Sequence, residues 1–251
     1  MNLRESMITN FIKAILELCE DNNDEITTAL EVCEQLPGSI GSLGLFIKKV
    51  TVLTNAVDEY SFKTLIKSMG DESNEKKVNM LHEYISRCGN ERAFELVGYL
   101  RKSLLSNSRI SLTLIGHCYG AIVKNNRELD QIDIILFSAL PELNDFDYSN
   151  FLIFLEFTRI SPEVIGEYCY FNQSAFVSGT YDIDSVMLSL QKLARLEVVT
   201  NDGGVAWGRP SYYRSNVVTD RLFDLIFDCK NDLIYYFPER FSDDMLEKVR
   251  I

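Results

Sequence analysis

Histidine is nearly missing from this chain: His82 and His117 are the two among 251 residues. The six cysteines stand at 19, 33, 88, 118, 169 and 229, and the nearest two are 14 residues apart. No Cys-x-x-Cys pair exists, which excludes zinc sites and dithiol redox centres of ordinary spacing. Glycine (13) and proline (5) are scarce, which excludes collagen-like, mucin-like and long disordered designs. There is no uninterrupted apolar run of about 18 residues, the length a spanning helix needs. The nearest stretch, Ile40 to Val57, is broken by Lys48, Lys49 and Asn55. No Walker A run and no Gly-x-Gly-x-x-Gly motif provides a nucleotide cradle. Neither a cofactor nor a metal is expected. Met1 to Ser6 lacks the charged-then-apolar pattern of a secretory signal, so a cytoplasmic location with free, buried thiols is expected.

What the chain does have is acid. It carries 37 Asp and Glu against 25 Lys and Arg, a net charge of −12. The excess is spread out, with 23 acidic and 16 basic residues in 1–160 and 14 and 9 in 161–251. Such a protein is repelled by phosphate backbones unless a local basic face compensates. Hydrophobic residues make up 46%, an ordinary globular share, and the length suits one or two domains with a substantial core.

Up to residue 160 the apolar residues recur with helical period. Stripes run through Phe11–Cys19, Ile26–Cys33 and Leu45–Leu53, then Leu65, Ile66 and Met69. Further sets are Val78, Leu81, Ile85; Phe94, Val97, Leu100, Leu104; Leu112, Ile115, Tyr119, Ile122; and Ile132, Ile135, Leu136, Leu140. No alternating strand pattern interrupts them. The expected fold is mainly α: residues 1–160 form an all-helical domain, an antiparallel array. Residues 161–251 form a second domain. There Ser161-Pro162 reads as a cap and first-turn proline, with Val164, Ile165 and Tyr168 facing inward. Asp182 caps a helix whose stripe is Ile183, Val186, Met187, Leu190, Leu193 and Ala194. Val198 to Thr200 and Val205 to Trp207 flank Asn201-Asp202-Gly203-Gly204 and read as a β-hairpin. A last helix starts near Thr219.

Helix, helix, hairpin, helix is the order of a winged helix. Residues 161–228, and above all Leu190 to Val199, resemble the recognition helix and first wing strand of bacterial winged-helix regulators. Over roughly 36–160, Leu36-Pro37, Arg101-Lys102-Ser103 and Asn126 to Asp130 resemble helical bacterial proteins of the Abi-alpha (abortive infection) type. That resemblance implies a setting in defence against phage and carries no catalytic residue.

One motif imitates an enzyme. Gly116-His117-Cys118-Tyr119-Gly120 matches the Gly-x-nucleophile-x-Gly elbow with cysteine as nucleophile, but no histidine comes after it to act as base. The alternative is that Gly116 and Gly120, at i and i+4, let a neighbouring helix come close, with Cys118 in the core. His82 reads as a partly exposed helical residue. Asp21 to Glu25 looks faintly like a calcium loop, yet Ile26 and Val32 stand where glycine and glutamate are needed. Glu142, Asp145 and Asp147 read as a solvated acidic helix cap.

The binding hypothesis centres on Lys192, Arg195, Arg209 and Arg214, with Glu197 and Asp202 as the opposing acids. Lys192 and Arg195 lie off the apolar stripe and are expected to face solvent. Trp207, Tyr212 and Tyr213 either anchor a partner or pack the wing onto the helices. The expectation is a non-enzymatic adaptor that works through a protein partner or self-association, with a winged-helix DNA-binding regulator as the alternative.

Overall fold

The computed structural model describes residues 61, 64–87, 90–165, 167–171, 181–203 and 212–250. These residues are mainly helical, with two small antiparallel sheets. The chain divides into two compact units: residues 1–105 with 116–128, and residues 106–115 with 129–251. The segments on both sides of Arg159–Ser161 therefore belong to one unit.

The first unit holds α1 (Asn74–Arg87), α2 (Asn90–Leu104) and the C-terminal half of α3 (Arg109–Lys124). Its core takes residues the helical period marks, Leu65, Ile66, Leu81, Leu100, Tyr119 and Ile122, and adds Leu96, which that period did not single out; all are buried. The glycine pair works as a close-approach site. A Cβ at Gly116 would overlap the Leu65 carbonyl, and one at Gly120 the Met69 carbonyl. The elbow sequence thus lies inside a continuous helix, with Cys118 buried. No strand-to-helix turn exposes its thiol. Tyr119 donates its hydroxyl proton to the Leu96 carbonyl at 3.0 Å, and burial pushes its phenol well above the usual range.

The second unit begins with the N-terminal half of α3 and continues through α4 (Gln131–Ala139), a 3₁₀ turn at Leu140–Glu142 and α5 (Asp145–Arg159). Local chemistry sets these starts. Asp130 caps α4 and Asn144 caps α5, each in a reciprocal capping box, with Asp133 and Asp147 as the third-position partners. Next come β1 (Glu163–Ile165), β2 (Tyr168–Tyr170), α6 (Ile183–Arg195), β3 (Thr200–Asn201), β4 (Tyr213–Arg214), α7 (Val217–Asp228), α8 (Lys230–Tyr236) and α9 (Asp243–Lys248). β1 pairs with β2 and β3 with β4, both antiparallel. The Phe171 N–H also donates to the Tyr213 carbonyl at 2.8 Å, which brings the end of β2 beside β4. Among the described elements helices α5 and α6 share the most extensive pairing, and Phe151, Leu152, Phe154 and Leu155 of α5 and Leu190 and Leu193 of α6 are all buried. Arg159 ties the far end: it donates to the Val249 carbonyl at 2.6 Å and to Asp220 at 2.7 Å, and lies over the Phe223 ring.

Three local expectations are corrected. Residues 163–170 form a hairpin, with no helix after Ser161-Pro162, and Val164, Ile165 and Tyr168 face out instead of inward. The β-branched pair Val164-Ile165, succeeded by glycine and the alternating Tyr-Cys-Tyr run, favours a two-residue hairpin over a helix. The described strand returning against Thr200–Asn201 is Tyr213–Arg214, further along than Val205–Trp207. Cys169 is exposed on β2, whereas Cys118 and Cys229 are buried as expected. The stripes over Phe11–Leu53, the acidic loop at 21–25, the Ile40–Val57 run, Val205, Trp207 and Arg209 lie outside the described residues, as does the side chain of His82. Among the described residues no helix is long and apolar enough to cross a membrane, and no group of His, Cys, Asp and Glu is placed to hold a metal.

Candidate docking surface

Of the residues expected to bind a partner, the described ones are Lys192 and Arg195 on α6 and Tyr212, Tyr213 and Arg214 at β4. The side chain of Asp182 accepts from the N–H groups of Asp184 and Ser185, which starts α6 where the sequence places it. Its inner face packs Val186, Leu190 and Leu193. Beside that apolar stripe runs a polar seam against α5. Asn150 donates to the Ser185 carbonyl and to the Ser189 hydroxyl, and Ser189 donates to Asp147 at 2.8 Å. The Lys192 ammonium donates to the other Asp147 oxygen at 2.6 Å. Asp147 is 3% exposed and also accepts the Asn144 N–H at 2.9 Å.

Two expectations change here. Lys192 does not stand clear in solvent, because a buried carboxylate on the packed neighbour claims it. Asp147 is no solvated cap; it is the centre of the α5–α6 seam. Asp145 accepts from the Ser108 hydroxyl at 2.7 Å, and Glu142 sits 3.4 Å from Arg195 in a half-exposed contact.

The outward face of α6 is Asp184, Leu188, Gln191 and Arg195, at helical spacing. It bears one acid, one amide, one base and a leucine that is 66% exposed.

Arg214 is also engaged within the chain. Its Nε donates to Asp202 at 2.5 Å, and its guanidinium lies 4.6 Å from the centre of the Tyr168 ring. The Tyr170 hydroxyl donates to the same Asp202 oxygen at 3.0 Å, and the Tyr170 ring meets Tyr212 edge-on. The Arg214 hydrogen bond holds the Asp202 carboxyl below its usual range, and Asp202 in turn raises the guanidinium. Burial and the hydrogen bond to Asp202 push the Tyr170 phenol up. Tyr213 is 1% exposed and packs inward.

The structure therefore brings Tyr212, Tyr213 and Arg214 together beside Asp202 and Tyr170, holds Lys192 separately in the α5–α6 seam, and leaves Arg195 outside. Sequence reasoning did not find Asp147 or Tyr170, whose partners lie 45 and 32 residues away. It also missed the exposed hairpin residues Val164, Ile165 and Tyr168, although alternation within Glu163 to Tyr170 was the available signal. No family model, curated protein or solved structure matches the chain.

Proposed function

We propose that the helix-and-hairpin module of the second unit is a protein-docking element, and that the chain is a non-enzymatic adaptor. The observation that carries this reading is the division of labour on α6. Lys192 is spent on Asp147 inside the seam, and Arg214 on Asp202 in the wing. Exposed Leu188 occupies the centre of the outward face. A groove-reading helix needs several free donors and phosphate-facing cations. A mixed face with an apolar centre suits a protein surface.

A winged-helix reading of 161–228 is supported by the succession of α6, β3, β4 and α7, with Phe171 reaching Tyr213 as the beginning of a third strand. The resemblance to Abi-alpha proteins adds a setting in bacterial defence. A DNA-binding regulator is the second reading, favoured by Arg195, which is 69% exposed beside Gln191.

Retention on a DNA duplex at low salt separates the two. The docking reading expects no retention by the full chain. Salt-sensitive binding whose slope flattens in Lys192→Ala, Arg195→Ala and Arg214→Ala would overturn it in favour of DNA.

A further inference from the structure

We propose that the β1–β2 hairpin is the docking edge of this module, and that its occupant is an extended segment of another protein carrying lysine or arginine next to apolar residues. The proposal rests on the docking reading above and adds the place and the chemistry.

Apolar exposure is densest here. Val164 is 65% exposed, Ile165 42% and Tyr168 52%, all within five residues. Single exposed apolar residues are ordinary, whereas a cluster on one projecting element marks a contact site. The backbone is available too. β1 pairs with β2 on one side, β2 continues toward β4 through Phe171, and among the described residues nothing pairs with the other side of β1. Ile165 and Tyr168 close a two-residue turn, and bonded pairs alternate along an antiparallel ladder, so Val164 directs its N–H and C=O outward. Natural edge strands are blunted by lysine, proline or a bulge. β1 has none of these within it; Pro162 precedes it.

Charge selects the occupant. Glu163 and Glu167 flank the apolar pair, both are exposed, and neither meets a cation among the described residues. From 160 to 171 there is no Lys or Arg. Among the described residues the arginines lining the adjoining cleft, Arg159 and Arg214, already hold Asp220 and Asp202. The unanswered charge is therefore negative, on a chain of net −12, which opposes a second copy and favours a cationic segment. A cleft of about 340 Å³ shares Glu167, Tyr168 and Cys169 with the hairpin. Ser215 also lines it, with a buried hydroxyl oxygen that has no hydrogen-bond partner among the described residues. Arg159 and Arg214 also line this cleft and Arg214 lies over the Tyr168 ring, so the cations of the occupant belong at Glu163 and Glu167 on the hairpin. Main-chain pairing supplies affinity and side-chain pockets supply selectivity, as in other strand-addition complexes.

The test is a titration of the full chain, monitored by amide NMR, with a synthetic peptide of alternating valine and lysine. Two controls accompany it: the same peptide with glutamate for lysine, and one with alternate backbone amides N-methylated. The expected result is shifts confined to 163–170 and Ser215. Binding should be at least tenfold weaker for both controls, and for the chain carrying Glu163→Gln with Glu167→Gln. Equal binding of the lysine and glutamate peptides, shifts elsewhere, or no shift at millimolar peptide would overturn the proposal. Self-association abolished by Val164→Glu would assign the edge to a second copy and overturn it as well. If the hairpin is untouched and duplex DNA is not retained, the edge assignment falls while the docking reading stands. Retention on DNA removes the docking reading itself.

Discussion

Replacing Lys192 by methionine isolates what the α5–α6 seam does. The substitution keeps the side-chain stem and removes the charge, which leaves the Asp147 carboxylate buried at 3% exposure without its cation. Stranding one member of a buried pair costs about 3–5 kcal/mol. Asp147 keeps the hydrogen bonds from Ser189 and Asn144, and the Lys192 side chain is itself 25% exposed. The cost should fall at or just below the bottom of that range, about 2–3 kcal/mol. Adding Asp147→Asn removes the stranded charge and should restore more than half of that loss, whereas Asp147→Asn alone should cost about 1 kcal/mol because Lys192 can turn to water. Urea denaturation of the four proteins, read by circular dichroism, gives the cycle directly. A Lys192→Met loss below about 0.5 kcal/mol, or no recovery in the double variant, would refute the internal role of Lys192.

Gly120→Ala should destabilise the chain by about 1–3 kcal/mol despite alanine's better helix propensity, because the added methyl meets the Met69 backbone rather than open space; a gain in urea midpoint would contradict the close helix approach. The Asp202 carboxyl sits below its usual range when folded, so its contribution to the β3–β4 pair is complete above about pH 4 and is lost as pH falls through that depressed value. Amide protection factors at Thr200, Asn201, Tyr213 and Arg214, taken against the base-catalysed intrinsic rate at each pH, should fall on acidification below about pH 4, and Asp202→Asn should remove that dependence; protection that falls as pH rises from about 4 to 7 would have the wrong sign. Cys169 should react with a thiol reagent well before Cys118 and Cys229, as read by mass mapping, and equal rates would contradict their difference in burial.

The legible parts of the fold were those set by neighbours along the chain. Leu112, Ile115, Tyr119 and Ile122 repeat at helical spacing and are all buried in α3. Asp182 capped α6 where its side chain precedes an amphipathic stripe. Gly116 and Gly120 showed their purpose through spacing alone. Ser161-Pro162 misled because a cap and a first-turn proline suit such a start without being sufficient for it. The residues just after them decide, and Val164-Ile165 finds a strand partner in Tyr168–Tyr170. The ion pairs of the candidate site were illegible for another reason. Lys192 looked free because helical periodicity tells which residues leave the apolar stripe, and says nothing of a carboxylate waiting on the adjacent helix. Asp147, read as a surface acid from its acidic company, sits at the third position of α5, where the capping box turns it toward α6.

The central claim is that Lys192 and Arg214 are held inside the chain by Asp147 and Asp202, and one spectrum addresses it. Nitrogen-15 NMR of the Lys192 ammonium, with a scalar coupling sought across the hydrogen bond to Asp147, can be recorded before and after adding DNA duplex at low salt. The account predicts a slowly exchanging, bonded ammonium whose resonance does not move on addition. A rapidly exchanging ammonium that shifts with duplex would contradict it.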